Sequence, residues 1–185
     1  MRFRPLTNEW RCRRPRCHQQ ACCDKAFVES LGHCVTSKFS WKVPALIRGA
    51  DLTQRETHDS SVRVVFAFAG DNVKFPIKNA MLSELAMALT GDPLPYATLM
   101  CVWCNQCTRG GVLINPRTDR IREIVLEPGP EHLGQWQANE RDIRADFEPA
   151  FGEAPGALVT VGLMTDTDNT RESTIAWCEP ISLTR

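Results

Sequence analysis

The chain has 185 residues, room for one ordinary domain with an appendage, and its 22 basic side chains balance 22 acidic ones. That balance removes the overall positive field that draws a protein onto nucleic acid or an anionic membrane. With 43% hydrophobic and 24% charged residues the chain can build a core, which excludes disorder throughout, and no run approaches the ~20 apolar residues that a membrane-spanning helix needs.

In chain order, the first feature is a change of composition. Residues 1–30 hold seven bases against three acids, a local charge of +4. Five of the nine cysteines, Cys12, Cys17, Cys22, Cys23 and Cys34, fall in or just beyond this stretch. The run RCRRPRCHQQACC has almost no apolar periodicity and no apolar signal-peptide core. Residues 1–30 are therefore expected to be a basic, irregular tail or a non-native beginning, ahead of a single domain over 31–185. A zinc shell on Cys12, Cys17, His18 and Cys22 or Cys23 has enough soft ligands. Two Cys-x4-Cys steps without a second separated pair, however, lack the spacing of a zinc ribbon or knuckle.

From residue 35 the apolar pattern acquires period two, the mark of strands buried on one face. Ser37, Phe39, Trp41 and Val43 alternate with Lys38, Ser40 and Lys42, and Pro44 ends the strand. A long polar loop, RGADLTQRETHD, leads to SSVRVVFAFAGD, where Val62, Val64, Phe66 and Phe68 share one face and Arg63, Val65 and Ala67 the other. Such a strand is expected to be central and covered on both sides. Residues 79–90 make the best helix, with Asn79 as its cap, Met81, Leu85 and Leu89 on one stripe, and Gly91 as its stop. A strand at 97–104 follows, then a Gly110-Gly111 turn, a short strand at 112–114 and the alternating IREIVLEPG. In ATLMCVWCNQC the alternation sends Cys101 and Cys104 to opposite faces, so Cys101, Cys104 and Cys107 read as small apolar fillers and a turn thiol rather than a metal or cluster site. Pro149 restricts the next helical pattern to a short helix starting near Asp146. LVTVGLMTD and TIAWCEPISL supply the last two strands. Six or more strands joined mostly without helices predict an antiparallel β-sandwich of the jelly-roll kind with one inserted helix.

HDSSVRVVFAFAGD, YATLMCVWCNQ, LGQWQANERDIRADFEPAFGEAP and GLMTDTDNT followed by AWCEPISL resemble the bacterial family known as domain of unknown function 3047, over roughly residues 37–184. The resemblance implies no particular activity. It implies an outline similar to carbohydrate-binding β-sandwiches, with a TDTDNT-like turn ahead of the last strand, in proteins that are often exported.

Asp166, Asp168 and Asn169, interleaved with Thr165, Thr167 and Thr170, gather oxygen ligands in one turn and are the candidate calcium site. Backbone carbonyls and water would have to complete a shell of about six to eight oxygens. In the competing reading the same side chains close their own turn through bonds to the backbone. Trp103 and Trp136, with Asn105 beside them, are the candidate ligand-binding residues, because sugar C–H faces stack on exposed rings; Trp41 and Trp177 read as core. Glu140, Asp142, Asp146 and Glu148 are the carboxylates from which a glycoside-cleaving pair would be drawn. His33, His58 and His132 lie in loop-like surroundings, with no nucleophile elbow or metalloprotease pair nearby. The expectation is therefore a non-catalytic sandwich for a glycan or other cell-envelope ligand. A saccharide or ester hydrolase and a structural protein of the envelope are the alternatives.

Overall fold

A computed structural model describes residues 36–184, together with the backbone alone of residues 17–18 and 22–27. Apart from those two stretches of backbone, the expectations for residues 1–30, including the zinc shell, lie outside the described residues.

The strands are β1 (Cys17–His18), β2 (Cys22–Phe27), β3 (Thr36–Lys42), β4 (Ser60–Phe68), β5 (Ala97–Cys104), β6 (Val112–Ile114), β7 (Ile121–Pro128), β8 (Gln137–Asp142), β9 (Leu158–Asp166), β10 (Ile175–Cys178) and β11 (Ser182–Thr184). The helices are α1 (Ile77–Thr90) and α2 (Ile143–Phe151). Two sheets result. In the larger the order is β2-β9-β4-β5-β7-β6. In the smaller, β3 is central, with β8 along one side, β10 and then β11 along the other, and β1 beyond β10.

The fold is mainly β, and β5 and β7 run parallel, which corrects the wholly antiparallel expectation. The burial pattern supplies the reason. Ile124, Val125 and Leu126 of β7 are buried on both faces, whereas β6 exposes Val112 and Ile114. Placing β7 beside β5 covers the strand that needs covering and leaves the three-residue β6 as a short edge.

One apolar core joins the two sheets. Phe39 and Trp41 of β3 meet Val64 and Phe66 of β4, Leu99 and Trp103 of β5, and Leu126 of β7. The Trp41 and Trp103 rings, one from each sheet, lie 6.5 Å apart. Helix α2 closes the core, with Phe147 edge-on to Phe68 at 4.7 Å and stacked on Phe151 at 4.2 Å. A smaller cluster of Leu52, Val102, Cys104 and Val125 lies on the outer face of the larger sheet, where the β3–β4 loop covers it. β4 is thus buried on both sides, as its sequence suggests.

Local chemistry moves several boundaries. Helix α2 starts at Ile143, not near Asp146, because the Asp142 carboxylate accepts the N–H groups of Arg144 and Ala145. Pro149 is accommodated near its C-terminal end, where little helix follows. With α1 this makes two α-helices among the described residues, so the fold carries the short second helix expected near Pro149 as well as the inserted one. TIAWCEPISL breaks at Pro180, which has no N–H to give a ladder, and β10 and β11 pair in turn with β3. β8, QANERD, is a polar strand that apolar alternation does not reveal. Cys104 and Cys107 form a disulfide, which corrects the turn-thiol reading, while Cys101 faces the core, where burial pushes its thiol up to about 12.

Candidate functional site

The largest departure from an apolar interior lies on the outer face of the larger sheet, and Arg63 is its centre. The register sets Arg63 between Val102 of β5 and Met164 of β9, and it is 2% exposed. A guanidinium so placed is costly unless its donors are answered. Its Nη1 donates to Asp166 Oδ2 at 2.8 Å, and its Nη2 donates to the His58 carbonyl at 2.9 Å. Nη2 also lies 3.3 Å from His58 Nδ1. Arginine is only a donor, so Nδ1 accepts and the imidazole proton sits on Nε2, which is 3.2 Å from Oε1 of the fully buried Glu123.

Asp59, next along the same loop, organises the turn after β9. Its Oδ1 accepts Asn169 Nδ2 at 2.8 Å and Asn169 N at 3.3 Å; its Oδ2 accepts Thr170 N and Thr170 Oγ1, both at 2.7 Å. Burial works to raise its pKa, but the hydrogen bonds from Thr170 and Asn169 outweigh it and hold the carboxyl below its ordinary value. Arg171, in the left-handed region at φ 59°, closes the turn with its N–H on Thr167 O at 2.9 Å. Asn169 Oδ1 accepts Arg117 Nη2 at 2.9 Å.

Asp59, Asp166 and Asp168 each offer an oxygen within 4.8 Å of the others. Burial, and then the hydrogen bond that its protonated carboxyl gives to Asp168, raises Asp166 to about 6 against the pull of Arg63; the same bond lowers Asp168. An acid raised on folding binds its proton more tightly in the native state, so stability declines as pH climbs from the unfolded value through the folded one. Asp59 and Asp168, both lowered, act only on the acid side of about pH 4. Unfolding free energy is therefore expected to fall by about 1–3 kcal/mol between pH 4 and 7. Urea titrations across that range check it, with Asp166→Asn flattening the slope.

The structure brings Asp166 and Asp168 together as the sequence suggests but turns Asn169 toward Asp59 and Arg117. Sequence reasoning missed Asp59, Arg63 and Glu123 as parts of this cluster, and no local signal marks them, because Asp59 and Thr170 are 111 positions apart. The cluster can hold charge and share a proton. A cation there would have to displace Asn169 and Thr170 from Asp59, whose two oxygens already accept four bonds. The four hydrolase candidates are likewise engaged: Glu140 with Lys38 at 3.0 Å, Asp142 at the α2 cap, Asp146 with Arg141, and Glu148 with Arg144 at 2.7 Å.

The tryptophans sort differently from their sequence assignment. Trp103 is 1% exposed with its Nε1–H on Gly129 O at 3.0 Å, so it is core and offers no platform. Its strand neighbours are cysteine and valine on a strand covered on both faces, not the edge of a groove. Asn105 donates its amide to Ile47 O at 2.7 Å, fastening the β3–β4 loop. Trp136 is 48% exposed. Trp177, read as core, points outward instead, because its neighbours Ala176 and Cys178 face inward. Trp177 pairs with Lys42 across β10 and β3. The Lys42 ammonium lies 4.8 Å from the Trp177 ring centre and 5.4 Å from that of Trp136, so two indoles bracket one cation on the outer face of the smaller sheet.

A family model described as "Protein of unknown function (DUF3047)" matches residues 28–182. No curated protein and no solved structure matches the chain.

Proposed function

The chain belongs to the DUF3047 family of proteins of unknown function, and from its own surfaces we propose that it is a non-catalytic, jelly-roll-like binding module for an acidic glycan of the cell envelope, held on the outer face of the smaller sheet. The observation that carries the reading is the Trp136–Lys42–Trp177 arrangement. Indole faces stack on the C–H faces of sugar rings, and an ammonium fixed between them is placed for a ring carboxylate. Because strands β3 and β10 position two of the three groups, little ordering is required on binding.

Calorimetric titration with oligogalacturonate, against a neutral cello-oligosaccharide, tests the proposal. Trp136→Ala and Trp177→Ala are each expected to weaken oligogalacturonate binding by about tenfold, the scale of one stacked ring. Lys42→Met is expected to remove the preference for the acidic sugar. Binding of neither sugar by the unaltered protein, or binding that survives both tryptophan changes, would sink the assignment. All three side chains reach the surface, so unchanged melting curves separate loss of binding from loss of fold.

A further inference from the structure

Helix α1 presents its apolar side to solvent. Ile77, Met81, Leu85 and Leu89, spaced by four, are 81%, 65%, 54% and 76% exposed, and Val73 just ahead of the helix continues the row. The rotation of the helix is fixed by a buried polar anchor. Asn79 Nδ2 donates to Asp119 Oδ1 at 2.7 Å, and Asn79 Oδ1 accepts Thr118 Oγ1 at 2.9 Å, both from the β6–β7 connection. With Asn79 turned inward, the residues about half a turn away must point out. An apolar stripe placed like this is ordinarily a core face, and none of the described residues covers it.

We propose that α1 is a dimerisation helix that packs against α1 of a second copy of this chain. Residues four apart form a single ridge, and ridges of that class interlock with ridges of the same class in the commonest mode of helix packing. A second copy supplies such a ridge automatically. A two-fold axis between Met81 and Leu85 sets Met81 against Leu85 of the other copy and Ile77 against its Leu89. The ridge carries no charge; Lys78 and Glu84 flank it. Side chains of this size at these exposures offer on the order of 600 Å² of apolar surface, close to the ~800 Å² per partner that a standard interface buries. A lipid surface fits less well, because interfacial helices set their apolar face beside a basic one, and the exposed charges that flank the α1 ridge are one base, Lys78, and one acid, Glu84. This inference stands apart from the glycan reading, which concerns the other sheet.

Light scattering on the eluting full chain, loaded at about 100 μM, above the weak end for interfaces of this size, reads the result. The unaltered protein is expected at twice the chain mass. Leu85→Glu is expected to run as a monomer with an unchanged melting curve, and Leu89→Glu does the same where Leu85→Glu fails to fold. A monomeric unaltered protein, or a dimer that persists in both variants, overturns the proposal. So does a monomer that co-sediments with phosphatidylcholine vesicles and loses this with Leu85→Glu, which would make the helix a lipid anchor.

Discussion

Replacing Arg63 with methionine is expected to lower the unfolding free energy by about 3–5 kcal/mol, the usual cost of removing one partner of a buried ion pair. For a chain of this length that means a melting temperature lower by roughly 10 °C. Methionine keeps much of the apolar stem, so the loss is not mainly one of packing. It comes from what the guanidinium leaves behind: Asp166 Oδ2, the His58 carbonyl and His58 Nδ1 all lose a donor in a region closed to water. Lysine in place of arginine is expected to recover only part of the loss, because one ammonium does not reproduce two divergent N–H groups. The double variant Arg63→Met with Asp166→Asn is expected to be more stable than the Arg63→Met protein, since the stranded carboxylate is gone. Chemical denaturation of the four proteins checks this. Melting of Arg63→Met within a degree or two of the unaltered protein would mean that water enters the cluster freely and that the network does not fasten the loop.

Period-two alternation marks β3, β4, β5, β7 and β9, because each buries one face, or both, in a shared apolar layer. What alternation does not encode is which strands become neighbours. The parallel β5–β7 pair depends on a comparison of burial needs between β6 and β7, which is a property of the assembled sheet. β8 escapes notice because QANERD has no apolar residue except Ala138; it is a strand only because β3 offers it an edge. Helix α1 shows the opposite failure. Its stripe of Met81, Leu85 and Leu89 is legible, but the direction the stripe faces is decided by Asn79 finding Asp119 and Thr118 some forty residues away.

The candidate sites follow the same division. Asp166 and Asp168 are visible because they lie two apart in one turn, whereas Asp59 reaches the turn only through the fold. Trp136 is visible as an exposed ring, but the bracketing of Lys42 requires β10 to lie along β3 in one particular register. In both cases the local half of the site is in the sequence pattern and the half supplied by a distant strand is not.

Asp59→Asn is expected to cost about 2–4 kcal/mol, although the side chain changes by a single group. Each carboxylate oxygen of Asp59 accepts two hydrogen bonds, and an amide nitrogen at either position would place a donor against two donors. Hydrogen bonds to an ionised acceptor are the stronger kind, and the depressed pKa of Asp59 reflects the same stabilisation of its charged form. The loss should also free the turn at Asp168–Thr170, which is seen as faster exchange of the Asn169 and Thr170 amide protons. This variant decides between the two readings of the acidic turn. If Asp59 serves as an internal acceptor, calcium leaves the melting temperature of the unaltered protein where it was, and the cost of Asp59→Asn is the same in calcium and in chelator. If the three carboxylates instead hold calcium, the ion raises the melting temperature of the unaltered protein by mass action and does nothing for Asp59→Asn. The four hydrogen bonds on Asp59, three of them at 2.7–2.8 Å, favour the first outcome, because an ion would have to break them before it could bind.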